Sequence, residues 1–140
     1  MAAAAIHLEI VTPERRVLEE EVDEVVLPSA DGYLGVRPGH TPLLTALGIG
    51  ELSFVRAGAV RHVAVAEGFA EILPTRVSVL TETAERAAEI DVARAEASRG
   101  RAAKALAESL NAEDGAFRRA EVRLQRAASR IAVARRRDEG

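Results

Sequence analysis

Hydrophobic and polar positions alternate in short runs between residues 6 and 82 of the chain. Because successive side chains of a β-strand point to opposite faces, each run predicts a strand with one buried face. The clearest runs are Val22-Asp23-Glu24-Val25, Leu52-Ser53-Phe54, His62-Val63-Ala64-Val65 and Val77-Ser78-Val79. Turn signals separate the runs, at Pro28-Ser29-Ala30-Asp31-Gly32, Gly48-Ile49-Gly50, Ala57-Gly58 and Pro74-Thr75. Roughly eight to ten strands fit this spacing, which is typical of an all-β sandwich or barrel.

A helical pattern replaces the alternation after about Thr83. No proline follows, and the segment is rich in Ala, Arg, Glu and Leu, which are strong helix formers. Thr81 and Thr83 are candidate N-caps for a first helix, which we expect to end near Leu110. The turn chemistry of residues 111–115 then leads to a second helix from about Ala116. The pattern predicts an antiparallel two-helix hairpin.

The apolar faces of the two helices are rich in alanine. In the second helix the spacing of three and four residues forms a narrow seam of Phe117, Ala120, Leu124, Ala127, Ile131 and Ala134. The first helix offers Ile90, Ala93, Ala97, Ala103, Leu106 and Leu110. Burying an alanine methyl contributes only about 0.8 kcal/mol, against roughly 1.5–3 for Leu or Ile, so the hairpin is expected to be marginally stable. It either packs closely on itself or detaches and opens under the influence of a ligand or partner.

Charge divides the chain at the same point. Residues 1–83 carry 6 basic and 12 acidic side chains, whereas residues 84–140 carry 13 and 10. All 5 prolines and most glycines precede residue 84. The chain is therefore predicted to be an α+β protein in two parts, a β-domain at 1–83 and a helical domain at 84–140.

Candidate catalytic chemistry is sparse. The chain has no cysteine, which agrees with a reducing compartment, and His7, His40 and His62 are scattered without metal-ligand spacing or a nucleophile–base pair. Neither a signal peptide nor a spanning helix is recognisable, so we expect no direct membrane insertion. The pattern favours a protein that is not an enzyme and has no metal site.

The run Leu34-Gly35-Val36-Arg37-Pro38-Gly39-His40-Thr41-Pro42-Leu43-Leu44 predicts a stiff, shaped loop. Its glycines free the backbone to turn, while its prolines fix φ and remove two amide donors. On these residues the chain resembles the epsilon subunits of F-type ATP synthases, called delta in mitochondria, whose run reads Leu-Gly-Ile-x-Pro-Gly-His-x-Pro-Leu-Leu. The similarity extends from about His7 to about Val133.

This resemblance implies a flattened β-sandwich of roughly ten strands and a non-catalytic rotor subunit of a proton-translocating synthase. The sandwich would bind the gamma subunit and the membrane ring of c subunits at the cytoplasmic face of the bacterial membrane. The helices would reach the alpha and beta subunits and restrain ATP hydrolysis. The family's interface loop corresponds to Asp31, Gly32, Tyr33, Arg37, Pro38, Gly39, His40 and Pro42.

Four arginines of the helical part come level across an antiparallel hairpin. Arg101 and Arg126 lie at similar distances from the turn, as do Arg94 and Arg130, at a rise of about 1.5 Å per residue. Arg94 and Arg101 share one helical face, and so do Arg126 and Arg130. Spacing alone allows either a solvated charged surface with local glutamate partners or a site bridged by a polyanion such as a triphosphate.

Ile90-Asp91-Val92-Ala93-Arg94-Ala95 resembles the Ile/Leu-Asp-x-x-Arg-Ala motif with which certain bacterial epsilon subunits bind ATP between the C-terminal helices. The resemblance makes Ile90, Asp91 and Arg94 the motif, and it assigns Glu85, Arg101, Arg126 and Arg130 to the other ATP-binding positions. It implies that the arginines hold phosphates, with Asp91 and Glu85 nearer the adenosine. ATP would be a regulatory ligand, and no cofactor would be required.

Two positions depart from the family pattern. Tyr33 stands where relatives often have a carboxylate, and Ala66-Glu67-Gly68 stands where they commonly have Ser-Gly-Gly. The basic tail 135–137 favours an acidic protein partner over nucleic acid, because the chain is acidic overall and lacks stacking aromatic residues. A competing interpretation is a free-standing ligand-binding β-sandwich with a helical dimerisation hairpin.

Overall fold

The computed structural model describes residues 5–112 and 114–136, which form an α+β fold. Glu113 of the predicted turn and Arg137 of the basic tail lie outside the described residues. The strands are β1 (Ile6–Val11), β2 (Arg16–Val22), β3 (Glu24–Ser29), β4 (Gly32–Val36), β5 (Leu43–Arg56), β6 (Ala59–Leu73) and β7 (Arg76–Arg86). A 3₁₀ turn (Ala87–Glu89) leads to helices α1 (Val92–Glu108) and α2 (Ala116–Ala134).

The strands follow the order β2-β1-β7-β6-β5-β3-β4, and every pairing is antiparallel except that of β1 with β7. Each strand contributes side chains to one shared hydrophobic core, with Leu8, Leu52 and Ile72 fully buried. A single sheet whose strands all feed one core must fold over on itself. The predicted flattened β-sandwich is therefore confirmed.

Seven strands, rather than roughly ten, account for the sandwich in the described part of the chain. The difference arises because β5 and β6 are 14 and 15 residues long. Gly48-Ile49-Gly50, which the sequence predicts to be a turn, lies inside β5, so that prediction is wrong. The predicted turns at Ala57-Gly58 and Pro74-Thr75 are confirmed.

The pairing of β6 with both of its neighbours is interrupted at Glu67, although the register is the same on either side of this residue. Gly68 has φ +129°, and a Cβ built there would lie 2.0 Å from the carbonyl oxygen of Leu80. The buried hydroxyl of Thr81 lies 2.7 Å from the carbonyl oxygen of Glu67 and 3.0 Å from that of Ala66. The close approach of Gly68 to β7 and the Thr81 hydroxyl together fix the backbone of β6 at this irregular point.

The first helix begins later than predicted. β7 continues to Arg86, so Thr81 and Thr83 are strand residues and their prediction as N-caps is wrong. The N-cap of α1 is Asp91, whose Oδ1 accepts a hydrogen bond from the Arg94 amide at 3.0 Å. The predicted start of the second helix at Ala116 is confirmed.

α2 packs between α1 and the outer face of β5, β6 and β7. The seam predicted for α2 is confirmed, because Ala120, Ala127 and Ile131 are buried along it.

The stripe predicted for the first helix is wrong. Ala93, Ala97 and Ala103 are exposed, and the buried face carries Ala95, Ala102 and Ser109, which are spaced seven residues apart. The error comes from Ile90, which precedes the N-cap and therefore cannot set the phase of the helix.

His7 gives the sandwich a pH-dependent contact on β1. Its Nδ1 lies 2.7 Å from Glu21 Oε1 and its Nε2 lies 2.9 Å from Glu19 Oε1. The hydrogen bond to Glu21, followed by that to Glu19, raises the pKa of His7 above its usual 6.5. The stabilisation of the folded state by His7 is thus complete below the pKa that His7 has in the unfolded chain. It is lost as the pH rises through the raised pKa that His7 has in the folded protein.

We therefore expect the urea midpoint to contain a His7-dependent part that declines as the pH rises above the usual histidine pKa of 6.5 and through the raised pKa of the folded protein. His7→Gln should remove that part of the pH dependence, whereas His40→Gln should retain it. Equal pH profiles for wild type and His7→Gln would contradict the assignment.

Candidate functional site

A cavity of about 620 Å³ lies between the helical hairpin and the outer face of the sheet. Strands β5 to β7 form its floor, and α1 and α2 form its walls. Its polar lining consists of Thr83, Glu85, Ser98, Arg101, Arg123, Arg126, Ser129 and Arg130. Its apolar lining consists of Ile49, Ala64, Val65, Ala66, Ala102, Ala105 and Ala127. The small side chains of both helices leave room for this space.

The lining carries a strong excess of positive charge. Four arginines face one carboxylate, that of Glu85, among the described residues that line the cavity. Arg130 binds Glu85 through two hydrogen bonds, from Nε at 2.6 Å and from Nη2 at 3.1 Å. The remaining guanidiniums are suited to a polyanion, because planar N–H donors match phosphate and carboxylate oxygens.

Two buried polar atoms of α2 in the cavity lack hydrogen-bond partners among the described residues. They are Nε of Arg126 and Oγ of Ser129. The Arg126 guanidinium lies near the carboxylate of Glu67, with Nη2 3.6 Å from Oε2. Unpaired buried donors are costly, so their presence together favours a polar ligand at this end of the cavity.

The cavity brings together some of the site residues predicted from the sequence. Glu85, Arg101, Arg126 and Arg130 all line it.

Ile90, Asp91 and Arg94 do not line this cavity. Ile90 is buried with Ala64 and Val133, and Asp91 caps α1. Arg94 is exposed on the first turn of that helix. In this arrangement the motif determines where α1 begins and how it joins the sheet.

Sequence reasoning missed Arg123 and Ser129, which also line the cavity. A signal for both was present, because Arg123, Arg126 and Arg130 recur at helical spacing on one face of α2, and Ser129 lies three residues after Arg126. The sequence pattern also identified Glu67 only as a change in a turn, whereas the carboxylate of Glu67 lies beside Arg126 in the structure.

The second candidate region is the loop between β4 and β5. It is shorter than predicted, because Leu34-Gly35-Val36 belongs to β4 and the irregular segment is residues 37–42. The His40 amide donates to the carbonyl of Arg37, and Gly39 has φ +88°, as expected of a type II turn with Pro38 at its second position.

This turn is tied to the rest of the sandwich. The Gly39 amide donates to the carbonyl of Pro74 at 2.7 Å, and Arg37 lies 3.8 Å from a carboxylate oxygen of Glu24. An open groove of about 360 Å³ adjoins it, lined by Glu24, Gly35, Arg37, Pro38, Gly39 and His40. Pro42, near the start of β5, is exposed.

The other predicted interface residues lie at the β3–β4 turn. Asp31 is at its tip, and Gly32, with φ +126°, begins β4. The Ser29 hydroxyl donates to the Gly32 carbonyl and closes the turn. Tyr33 is 67% exposed, so its ring is available to a partner.

His7, Glu9 and Glu19 are close enough to share a metal ion, with ligand atoms within 4.8 Å of one another. Arginines already bind both carboxylates. Arg76 Nη2 donates to Glu9 Oε2 at 2.7 Å, and Arg16 Nη1 donates to Glu19 Oε2 at 2.8 Å. The charges of the group are therefore largely balanced by side chains, which favours a surface ion-pair network.

Neither α1 nor α2 is long and apolar enough to cross a membrane.

Comparison with known proteins places these features in a family. Residues 5–87 match the family model of the ATP synthase delta/epsilon chain, beta-sandwich domain. The ATP synthase epsilon chain of Geotalea uraniireducens is 50% identical over 132 residues, covering 94% of this chain and 95% of that protein. The epsilon chain of Herpetosiphon aurantiacus is 51% identical over 130 residues, covering 93% and 94%.

A solved structure supports the fold. A chain in the Euglena gracilis mitochondrial ATP synthase structure superposes with a TM-score of 0.79 at 22% identity, covering 94% of this chain and 82% of that one. Identity over nearly the whole length of the curated relatives extends the match beyond the sandwich to the helices. The chain belongs to the ATP synthase epsilon chain family.

Proposed function

We propose that this protein is a non-catalytic central-stalk subunit of a bacterial F-type ATP synthase, and that its helical hairpin senses ATP and restrains ATP hydrolysis. Identity of 50% to an ATP synthase epsilon chain, over 94% of this chain, supports the subunit assignment. The observation that carries ATP sensing is the cavity, where arginines of both helices surround open space and two buried polar atoms of α2 have no hydrogen-bond partner among the residues that the structure describes.

In this proposal the sandwich is the part that stays attached to the rotor. The loop at residues 37–42 and the β3–β4 turn present rigid, exposed backbone to the c ring, which keeps the protein peripheral at the cytoplasmic face of the membrane. An apolar patch of Leu44, Phe69 and Leu80, 69%, 58% and 58% exposed, faces outward on adjacent strands and would bind gamma.

The hairpin has two positions. Docked on the sheet, it forms the cavity; detached, it reaches alpha and beta and blocks hydrolysis. ATP would favour the docked form, because its phosphates bridge Arg101 of α1 with Arg126 and Arg130 of α2. A ligand that binds only one form shifts the equilibrium by about 2.7 kcal/mol at a hundredfold excess over Kd, which suffices for an alanine-seamed hairpin.

Reconstitution tests the subunit assignment. The purified chain should bind an alpha–beta–gamma complex that lacks its own epsilon subunit, at one copy per complex, and should lower its ATPase rate. Raising ATP into the millimolar range should relieve part of this inhibition. Dimerisation of the isolated chain without binding to the complex would instead support the free-standing ligand-binding module.

A further inference from the structure

We propose that Glu67 is a tethered competitor of ATP, because its carboxylate lies 3.6 Å from Arg126, one of the arginines that line the candidate phosphate site. When nucleotide is absent, the carboxylate neutralises this arginine and helps hold α2 against the sheet. When nucleotide binds, a phosphate takes its place. This inference rests on the proposed function, since it concerns regulation of the same cavity.

The backbone of Glu67 is held at a fixed place by contacts of β6 with β7. Its φ of +57° is uncommon for a residue other than glycine, and its carbonyl oxygen lies 2.7 Å from the hydroxyl of Thr81. The following residue, Gly68, is in close contact with β7. The carboxylate is therefore anchored to the rigid sheet, while Arg126 belongs to the helix that moves.

The geometry of the pair suits a contact that a ligand displaces. Arg126 and Glu67 are 3.6 Å apart, and their side chains are 39% and 48% exposed. The neighbouring Arg130–Glu85 pair is shorter, at 2.6 Å, and less exposed. Nε of Arg126 remains buried and unpaired among the described residues, so Glu67 leaves part of the guanidinium available to an anion.

A contact that exists only in the nucleotide-free docked form has two linked effects. It lowers the population of the detached hairpin, and it also lowers the apparent affinity for ATP, because ATP must displace it. Removing the carboxylate should therefore loosen the hairpin without ATP and tighten ATP binding. A contact that persisted beside bound ATP would have the opposite effect on affinity.

The test is calorimetric titration of ATP into the full chain and its Glu67→Gln variant. Gln keeps the size of the side chain and removes its charge. Affinity for ATP should rise about two- to fivefold, the range expected from an exposed ion pair. Glu71→Gln is the matched control, since Glu71 is exposed on the same strand and makes no ion pair with the described residues; it should leave affinity unchanged.

Amide hydrogen exchange in the absence of ATP provides the second readout. Exchange of α2 should be faster in Glu67→Gln than in wild type and Glu71→Gln, while exchange of the β-sheet should be unchanged. Unchanged or weaker ATP binding by Glu67→Gln, with wild type still binding, would overturn this inference alone. Absence of ATP binding by wild type at millimolar concentration would overturn the proposed ATP sensing as well.

Discussion

Replacing Gly68 with alanine is expected to destabilise the sandwich by about 3–5 kcal/mol, a large part of the stability of a domain this size. Two separate costs contribute. The backbone has φ +129°, which L side chains rarely adopt, and the new Cβ would meet the Leu80 carbonyl oxygen at 2.0 Å and Thr81 Cα at 2.8 Å. Relieving the overlap requires β6 and β7 to separate.

Urea unfolding followed by circular dichroism measures this loss. Gly35→Ala is the matched control, because Gly35 is also a strand glycine, has no positive φ, and has no atom within 4 Å of the position of a Cβ. It should change the free energy of unfolding by less than about 1 kcal/mol. A similarly small effect of Gly68→Ala would mean that β6 and β7 are not held together at Gly68 as tightly as the structure indicates.

Gly68 also shows why the number of strands could not be predicted from the sequence. A glycine beside alternating residues signals a turn, a bulge or a close approach equally well. At Ala57-Gly58 the chain reverses, whereas at Gly48 and Gly68 the strands continue through an irregular pairing. What decides between these outcomes is the contact with a neighbouring strand, β3 for Gly48 and β7 for Gly68, and the pattern around each glycine does not contain it.

The helical part was predictable to different extents in its two helices. The phase of α2 followed from Leu124 and Ile131, large apolar residues inside the helix. α1 has small residues on its buried face, so its periodicity is weak, and Ile90 provided a false starting point. Among the ATP-site predictions, residues spaced along α2 and at the end of β7 lie together in the cavity, but the Asp91–Arg94 motif does not join them.

Arg130→Ala is expected to weaken ATP binding at least about tenfold, because each charge-assisted hydrogen bond contributes roughly 1.5–3 kcal/mol. The guanidinium is at the cavity wall, where it binds Glu85 at 2.6 Å. Its loss removes a phosphate ligand and also leaves the Glu85 carboxylate without its partner, which repels an incoming polyanion. Calorimetric titration with ATP measures the change, and circular dichroism checks that α2 remains helical.

Arg94→Ala provides the decisive comparison, since both residues belong to the arginine set predicted from the sequence. Arg94 is exposed and does not line the cavity, so its removal should change the affinity for ATP by less than about twofold. In the reconstituted complex, Arg130→Ala should keep inhibiting hydrolysis at ATP concentrations that relieve the wild type, and Arg94→Ala should respond as the wild type does. Equal losses of affinity in the two variants would mean that ATP binds a different arrangement of the hairpin, with the first turn of α1 rotated toward the phosphates.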